Sequence, residues 1–218
     1  MRLIQLLLRP VYYLLYHHFA WSYDLVAGLV SLGHWRDWVL SILPRLRGRV
    51  LEIGFGPGHL QLAMQQAGLR ACGLDESRFM ADQAARRIRR AGQPVRLVRG
   101  YAQYTPFPAG SFDTLVATFP AEYIFDLGSL EEFHRLLRPG GHLIVLLSAW
   151  FEGGSGLERV ASWLSRRSGA AGLPGRFLPA WEERIAGLGF AVRHEVVTQG
   201  AGRLLVLTAV KARPHWRR

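Results

Sequence analysis

The sequence predicts an α/β fold: a mostly parallel sheet with helices on both faces, preceded by a helical cap. Three observations predict it. Short apolar strand patterns alternate with helical patterns from residue 49 to about residue 148, an alternation that demands crossover connections and a parallel sheet. A glycine-rich turn, Gly54-Phe55-Gly56-Pro57-Gly58, joins the first strand to the first helix. Near the C-terminus two apolar runs flank "TQGAG", close enough to pair antiparallel. At 218 residues, half of them hydrophobic and a fifth charged, the chain can bury one good core and fits one domain with modest extensions.

Residues 1–44 read as a helical cap, because Tyr12, Tyr13, Tyr16, Phe19 and Tyr23 recur at spacings of three and four. Pro44 closes that segment. Strands are predicted over Arg49–Ile53, Leu69–Leu74, Val95–Arg99, Phe112–Thr118 and His142–Leu147. Helices are predicted over Leu60–Ala67, Ser77–Arg90 and Leu130–Leu137, each followed within a few residues by Gly or Pro-Gly. The main domain spans residues 45–212. An insertion near 151–180, marked by "EGGSG" and "SGAAGLPG", brackets a short helical piece around Leu157–Arg167. A helix at Trp181–Ala186 and strands at Phe190–Val197 and Leu204–Val210 complete it, and residues 213–218 form a basic tail.

The formal net charge is +11, almost wholly arginine, since Lys211 is the only lysine. Its dense runs are Arg86-Arg87-Ile88-Arg89-Arg90, inside a helical pattern, and the C-terminal tail, which reads as arginine spread over solvated faces. Such a balance invites a nucleic-acid or anionic-membrane reading, but with the arginines spread this way nucleic acid ranks low as a partner. Cys72 stands alone, so no disulfide framework or thiolate metal cluster is expected, and a reducing cytoplasm suits it. The histidines lack Cys or carboxylate partners at ligand spacing, so no metal is expected. The first apolar run, Leu3–Leu8, is broken by Arg9-Pro10, with no cleavage site after it and no run long enough to span a bilayer. Residues 1–20 suit either the domain's own core or an interfacial helix touching an anionic membrane from the cytoplasmic side.

The turn after the first strand solves a specific problem. Glycine accepts positive φ and lets a ligand approach the backbone, while the helix that Gly58 opens offers free N–H groups. Asp75, at the end of the second strand and seventeen residues after Gly58, can accept from two vicinal ribose hydroxyls. A dinucleotide fingerprint would need glycine where His59 stands, and a P-loop would need Gly-Lys-Ser/Thr. Glu52 has the wrong sign for a pyrophosphate and the right one for a cationic amino-acid group. Adenosine joined to an amino acid fits best.

Four motifs, "VLEIGFGPGHL", "GLDESRFM", "RGYAQYTPFPAGSFDTLVATFP" and "LLRPGGHLIVL", resemble the successive motifs of class I S-adenosylmethionine-dependent methyltransferases. Within that group they look most like the branch that includes the ubiquinone/menaquinone-biosynthesis C-methyltransferases. The match covers residues 49 to about 148, in order and at normal spacing. The resemblance implies a Rossmann-like seven-stranded sheet with one antiparallel strand and S-adenosyl-L-methionine as cofactor, S-adenosyl-L-homocysteine being the product. It implies that Glu52 and the Gly54, Phe55, Gly56 and Gly58 loop hold the methionine part, and that Asp75 holds the ribose. Glu76, Phe79 and Met80 would line the adenine side, Ala102 would meet the adenine edge, and Thr118-Phe119 would close the cleft. Tyr101 stands where family members often carry an Asp that accepts from the adenine amino group.

Methyl transfer from a sulfonium needs in-line alignment and exclusion of water, with a general base optional. Tyr23 is the leading candidate because related enzymes place a Tyr near the cofactor there. His18 and Glu122 are further candidates; Tyr12, Tyr16, His17 and His34 in the cap and Tyr123 after the fourth strand are weighed beside them. Each also has a plainer reading as core, surface or capping residue. The aromatic cap points to a small hydrophobic acceptor such as a quinol precursor or lipid. Two other readings stay open on the sequence: a non-catalytic binding or scaffold protein on the same fold, kept open by Tyr101, and a nicotinamide-dependent oxidoreductase, disfavoured by Glu52 and His59.

Overall fold

A computed structural model describes residues 31, 33–151, 173–200 and 202–213. Seven strands form one sheet: β1 (Arg49–Ile53), β2 (Arg70–Asp75), β3 (Leu97–Arg99), β4 (Phe112–Thr118), β5 (Leu137–Phe151), β6 (Phe190–Gln199) and β7 (Gly202–Lys211). Their order is β3-β2-β1-β4-β5-β7-β6. The β1–β2, β1–β4, β2–β3 and β4–β5 pairs are parallel, and β7 runs antiparallel to both β5 and β6. This is the expected sheet, with a single reversed strand. The helices are α1 (Trp35–Leu40), α2 (His59–Gln66), α3 (Arg78–Arg90), α4 (Leu127–Leu136) and α5 (Leu173–Gly187), with 3₁₀ turns at Leu43–Arg45 and Glu122–Phe125.

Each face of the sheet carries its own core, because successive strand side chains point to opposite faces. Leu51, Ile53, Leu115 and Val145 pack with Leu130 and Phe133 of α4 and Trp181 and Ile185 of α5. Val50, Val116, Ile144 and Val206 pack with Trp38 and Val39 of α1 and Leu60 and Met64 of α2. By this alternation Glu52 shares the α1/α2 face with Val50.

Of the boundaries that differ from expectation, three have a clear local cause or a large shift. α4 starts at Leu127 instead of Leu130, because Asp126 caps it, accepting from the Ser129 N–H at 2.9 Å, and Gly128 is absorbed into the first turn. β5 begins at Leu137, and residues 138–141 loop out of the pairing before His142 resumes it opposite Thr114. α5 is far longer than Trp181–Ala186 and continues through Pro179. The cap before residue 31, the piece at Leu157–Arg167 and the end of the basic tail lie outside the described residues. Among the described residues, no helix is long and apolar enough to cross a membrane.

Candidate active site

A cleft opens at the carboxyl ends of β1, β2 and β4, where ligands sit in open α/β sheets. Its walls include Glu52, Gly54, Phe55, Gly56, Asp75, Met80, Thr118 and Phe119 from the expected set. Trp35, Val39, Pro57, His59, Leu60, Pro120, Ala121 and Tyr123 complete it.

The loop between β1 and α2 needs its glycines for different reasons. Gly54 (φ +72) lies under Tyr123, whose hydroxyl would be 2.8 Å from an added Cβ, and that hydroxyl donates to the Ile53 carbonyl at 2.9 Å. Gly58 (φ +81) caps α2 and packs on Ala84 of α3, whose Cβ would be 2.6 Å from its own, so its tightest constraint is helix packing. Phe119 is the only non-glycine with positive φ among the described residues, at +48°. Its N–H donates to the Leu146 carbonyl at 2.7 Å, so the neighbouring strand holds this sparsely populated conformation at the lip of the cleft.

Two acids dominate the electrostatics. Glu52 is 1% exposed, and its Oε2 has no hydrogen-bond partner. Burial pushes its carboxyl well above the ordinary range; Gln61 opposes the rise and Asp75 adds to it. Asp75 accepts from the Gly56 N–H and the Ser77 N–H, both at 2.9 Å. Burial raises its carboxyl too, against the lowering by those two amides. Neither acid takes part in any ion pair among the described residues.

Other expected residues stand apart from the cleft walls. Phe79 is 38% exposed on the first turn of α3, beside Glu76 just ahead of that helix. Tyr101 is 63% exposed and bridges backbone to Tyr104, while the adjacent Ala102 is buried in the core. Glu122 is exposed on the 3₁₀ turn, whereas its neighbour Tyr123 lines the cleft. Tyr23 and His18 lie outside the described residues. Sequence reasoning did not place Trp35, Val39 or Leu60 at the site. For Trp35 the signal is tertiary: its ring meets His59 edge-on, with centroids 5.5 Å apart.

Comparison with known proteins decides the family. The demethylmenaquinone methyltransferase of Thermus thermophilus is 30% identical over 217 residues, covering 88% of this chain and 98% of that protein. The chain belongs to the class I S-adenosylmethionine-dependent methyltransferases. The family described as "Methyltransferase domain" matches residues 50–141. The ubiquinone/menaquinone biosynthesis C-methyltransferase of Syntrophotalea carbinolica is 31% identical over 139 residues, 61% of this methyltransferase and 59% of that one. In fold, it is similar to phosphoethanolamine N-methyltransferase 2 of Haemonchus contortus solved in complex with S-adenosyl-L-methionine. There the TM-score is 0.58 at 20% identity, over 83% of this chain and 53% of that one.

The cofactor of this family is S-adenosyl-L-methionine, and the residues present fit it. The methyltransferase offers an adenosyl amino acid two positive-φ glycines at the cleft wall, a buried acid with an orphaned oxygen, and a second acid without a cation.

Proposed function

We propose that this methyltransferase transfers a methyl group by in-line displacement to a small, hydrophobic acceptor of the quinol-precursor kind. The observation that carries this reading is the likeness to a demethylmenaquinone methyltransferase along 98% of that protein's length. The cleft is consistent with it: Trp35, Val39, Phe119, Pro120 and Ala121 form an apolar wall suited to a flat, greasy ring.

The bound cofactor supplies a methyl already activated on a sulfonium. The chain's own residues bind, orient and exclude water. Glu52 would pair with the ammonium of the methionine part, and the backbone of Gly54, Phe55, Gly56 and Gly58 would hold that part. Asp75 orients the ribose; it must exchange the Gly56 amide, or share with it, to accept a hydroxyl. By the family resemblance Met80, Phe79 and Glu76 would flank the adenine, with Ala102 and the Tyr101 backbone at its edge; of these, Met80 lines the cleft itself. Thr118 and Phe119 close the cleft. Where the acceptor hydroxyl or carbon needs deprotonation, Tyr23, His18 and Glu122 are the bases to test. Residues 1–20 would bring the protein to an anionic membrane where such acceptors reside.

Release of S-adenosylhomocysteine should follow addition of a short-chain demethylnaphthoquinol and not of a polar amine such as phosphoethanolamine. Turnover of the amine alone would overturn the acceptor class. Co-sedimentation with anionic liposomes, full chain against one lacking residues 1–20, tests the membrane contact; equal and negligible binding would remove it.

A further inference from the structure

Behind the glycine loop the protein buries two acceptors with too few donors. Glu52 Oε2 has no partner. Gln61, fully buried, donates its amide nitrogen to the Cys72 carbonyl at 3.0 Å, which orients the amide and leaves its Oε1 buried without a donor. Gln61 also hydrogen-bonds Glu52, a contact that by itself favours the ionised acid and is outweighed by burial. An ionised carboxylate only accepts, so an ionised Glu52 keeps Oε2 as a buried, charged acceptor with no donor. A neutral carboxyl avoids burying that uncompensated charge.

The charges around Glu52 point the same way. Asp75, the neighbour whose charge raises the Glu52 carboxyl, lies on β2 and is an acid. The remaining titratable groups on the cleft walls are His59 on α2 and Tyr123 on the turn after β4. β4 contributes Thr118 and α1 contributes Trp35 and Val39; no Lys or Arg lines the cleft among the described residues. Burial favours the neutral acid further.

We propose that Glu52 is a neutral carboxylic acid in the cofactor-free protein and releases its proton to solvent when the ammonium of the cofactor docks against it. The inference rests on the cofactor assignment above. The balance is simple: the carboxyl O–H breaks, both electrons stay on Glu52, the proton goes to buffer and the ligand's positive charge takes its place. The charge beside Glu52 is conserved, because the ammonium stands where the proton was, so a protein without a cation here can keep its two acids together before and after binding. Linkage then makes affinity rise with pH, by up to about tenfold per unit while Glu52 stays neutral.

Titration calorimetry of the full chain with S-adenosylhomocysteine, at neutral pH in buffers of different ionisation enthalpy, counts the protons. About one should leave per ligand bound, Asp75→Asn should still release it, and Glu52→Gln should release none while binding roughly ten- to a hundredfold more weakly. Binding without proton release, or the same release from Glu52→Gln, would overturn the proposal, the latter by shifting the source to a group such as His59. Failure of the unaltered protein to bind at all would sink the cofactor assignment instead. Should Glu52→Gln bind too weakly to titrate, infrared difference spectra decide. The carbonyl stretch of a neutral carboxyl should be present in the cofactor-free protein, vanish on adding S-adenosylhomocysteine and be missing from Glu52→Gln. Its absence from the unaltered protein would refute the idea.

Discussion

Asp113 and Glu52 sit on neighbouring strands, both nearly buried, toward opposite ends of those strands. Asp113, at the start of β4, accepts from the Arg49 N–H at 2.7 Å and pairs with the guanidinium groups of Arg49 and Arg138. Gly48 leaves room for that carboxylate, since any Cβ there would run into it. Glu52, near the end of β1, has one amide neighbour and an acid for company. Burial alone therefore does not separate a structural acid from a functional one. What separates them is whether the fold itself supplies the countercharge. Where it does, the acid anchors loops; where it does not, the acid waits for a ligand or a proton.

The contrast breaks if Asp113 is dispensable. Asp113→Ala orphans the Arg49 N–H and strands two half-exposed arginines, so it should cost about 2–3 kcal/mol. For a chain of this size that lowers the Tm by roughly 5–10 °C. The affinity for S-adenosylhomocysteine, measured by calorimetry on the folded variant, should stay within about twofold, since one hydrogen-bonded acid far from the cleft sets no ligand contact. A large loss of affinity with little loss of Tm would reverse the two roles.

A third acid sharpens the rule. Glu132 of α4 accepts from the Thr105 N–H (2.9 Å), the Thr105 hydroxyl (2.6 Å) and both donors of Arg135 (2.6 and 2.7 Å). Those bonds, Arg135 first, hold its carboxyl down from the ordinary 4.5 to about 2. A lowered value stabilises the fold above the ordinary range, and that stability is lost as pH falls toward about 2. Glu132→Gln should cost about 2 kcal/mol at neutral pH, with the gap to the unaltered protein closing as melts are run from about pH 5 down to pH 2. A constant gap would mean packing, not charge. Glu52 carries the opposite sign. Its raised value gives stability that is full at acid pH and is lost as pH rises through the folded value. Glu52→Gln removes any buried charge at this position at every pH, so the cofactor-free variant should melt at or above the unaltered protein at neutral pH, by up to about 1 kcal/mol.

Legibility followed the range of the determining contacts. The β1 to β4 core and the Gly54–Gly58 loop could be read because strand alternation, positive φ and the acid after β2 are local properties of the chain. Glu52 stood out as an acid within an apolar strand, but its orphaned oxygen could not be seen before Gln61 was turned toward Cys72. Trp35 and Val39 reach the cleft only through the packing of α1 on α2, which no short window of sequence encodes. Gly175 ends the "SGAAGLPG" stretch that reads as a flexible edge, yet α5 runs through it and through Pro179, with Trp181 tied by its indole N–H to the Ile124 carbonyl at 2.8 Å. Tertiary anchoring overrode local propensity there. Asp113 offered no signal at all, because its cations come from distant positions in the chain.

The weakest test concerns the acid that is paired but not buried. Glu195 on β6 accepts from Arg45 at 2.6 Å, a bond as short as those of Glu132, yet its side chain is 44% exposed and that of Arg45 is 29% exposed. Water screens the attraction and both long side chains lose rotamer freedom to make it, so a close distance converts into little free energy. Arg45→Gln should shift stability by less than about 0.5 kcal/mol in chemical denaturation, and moderate salt should erase even that. If it instead rivalled Asp113→Ala, countercharge would matter irrespective of burial, and the distinction between Asp113 and Glu52 would need another cause. If it is small, burial and countercharge act together: only an acid removed from water makes the presence or absence of a cation decisive, and Glu52 is the one such acid on the described cleft wall that the fold leaves with an orphaned oxygen.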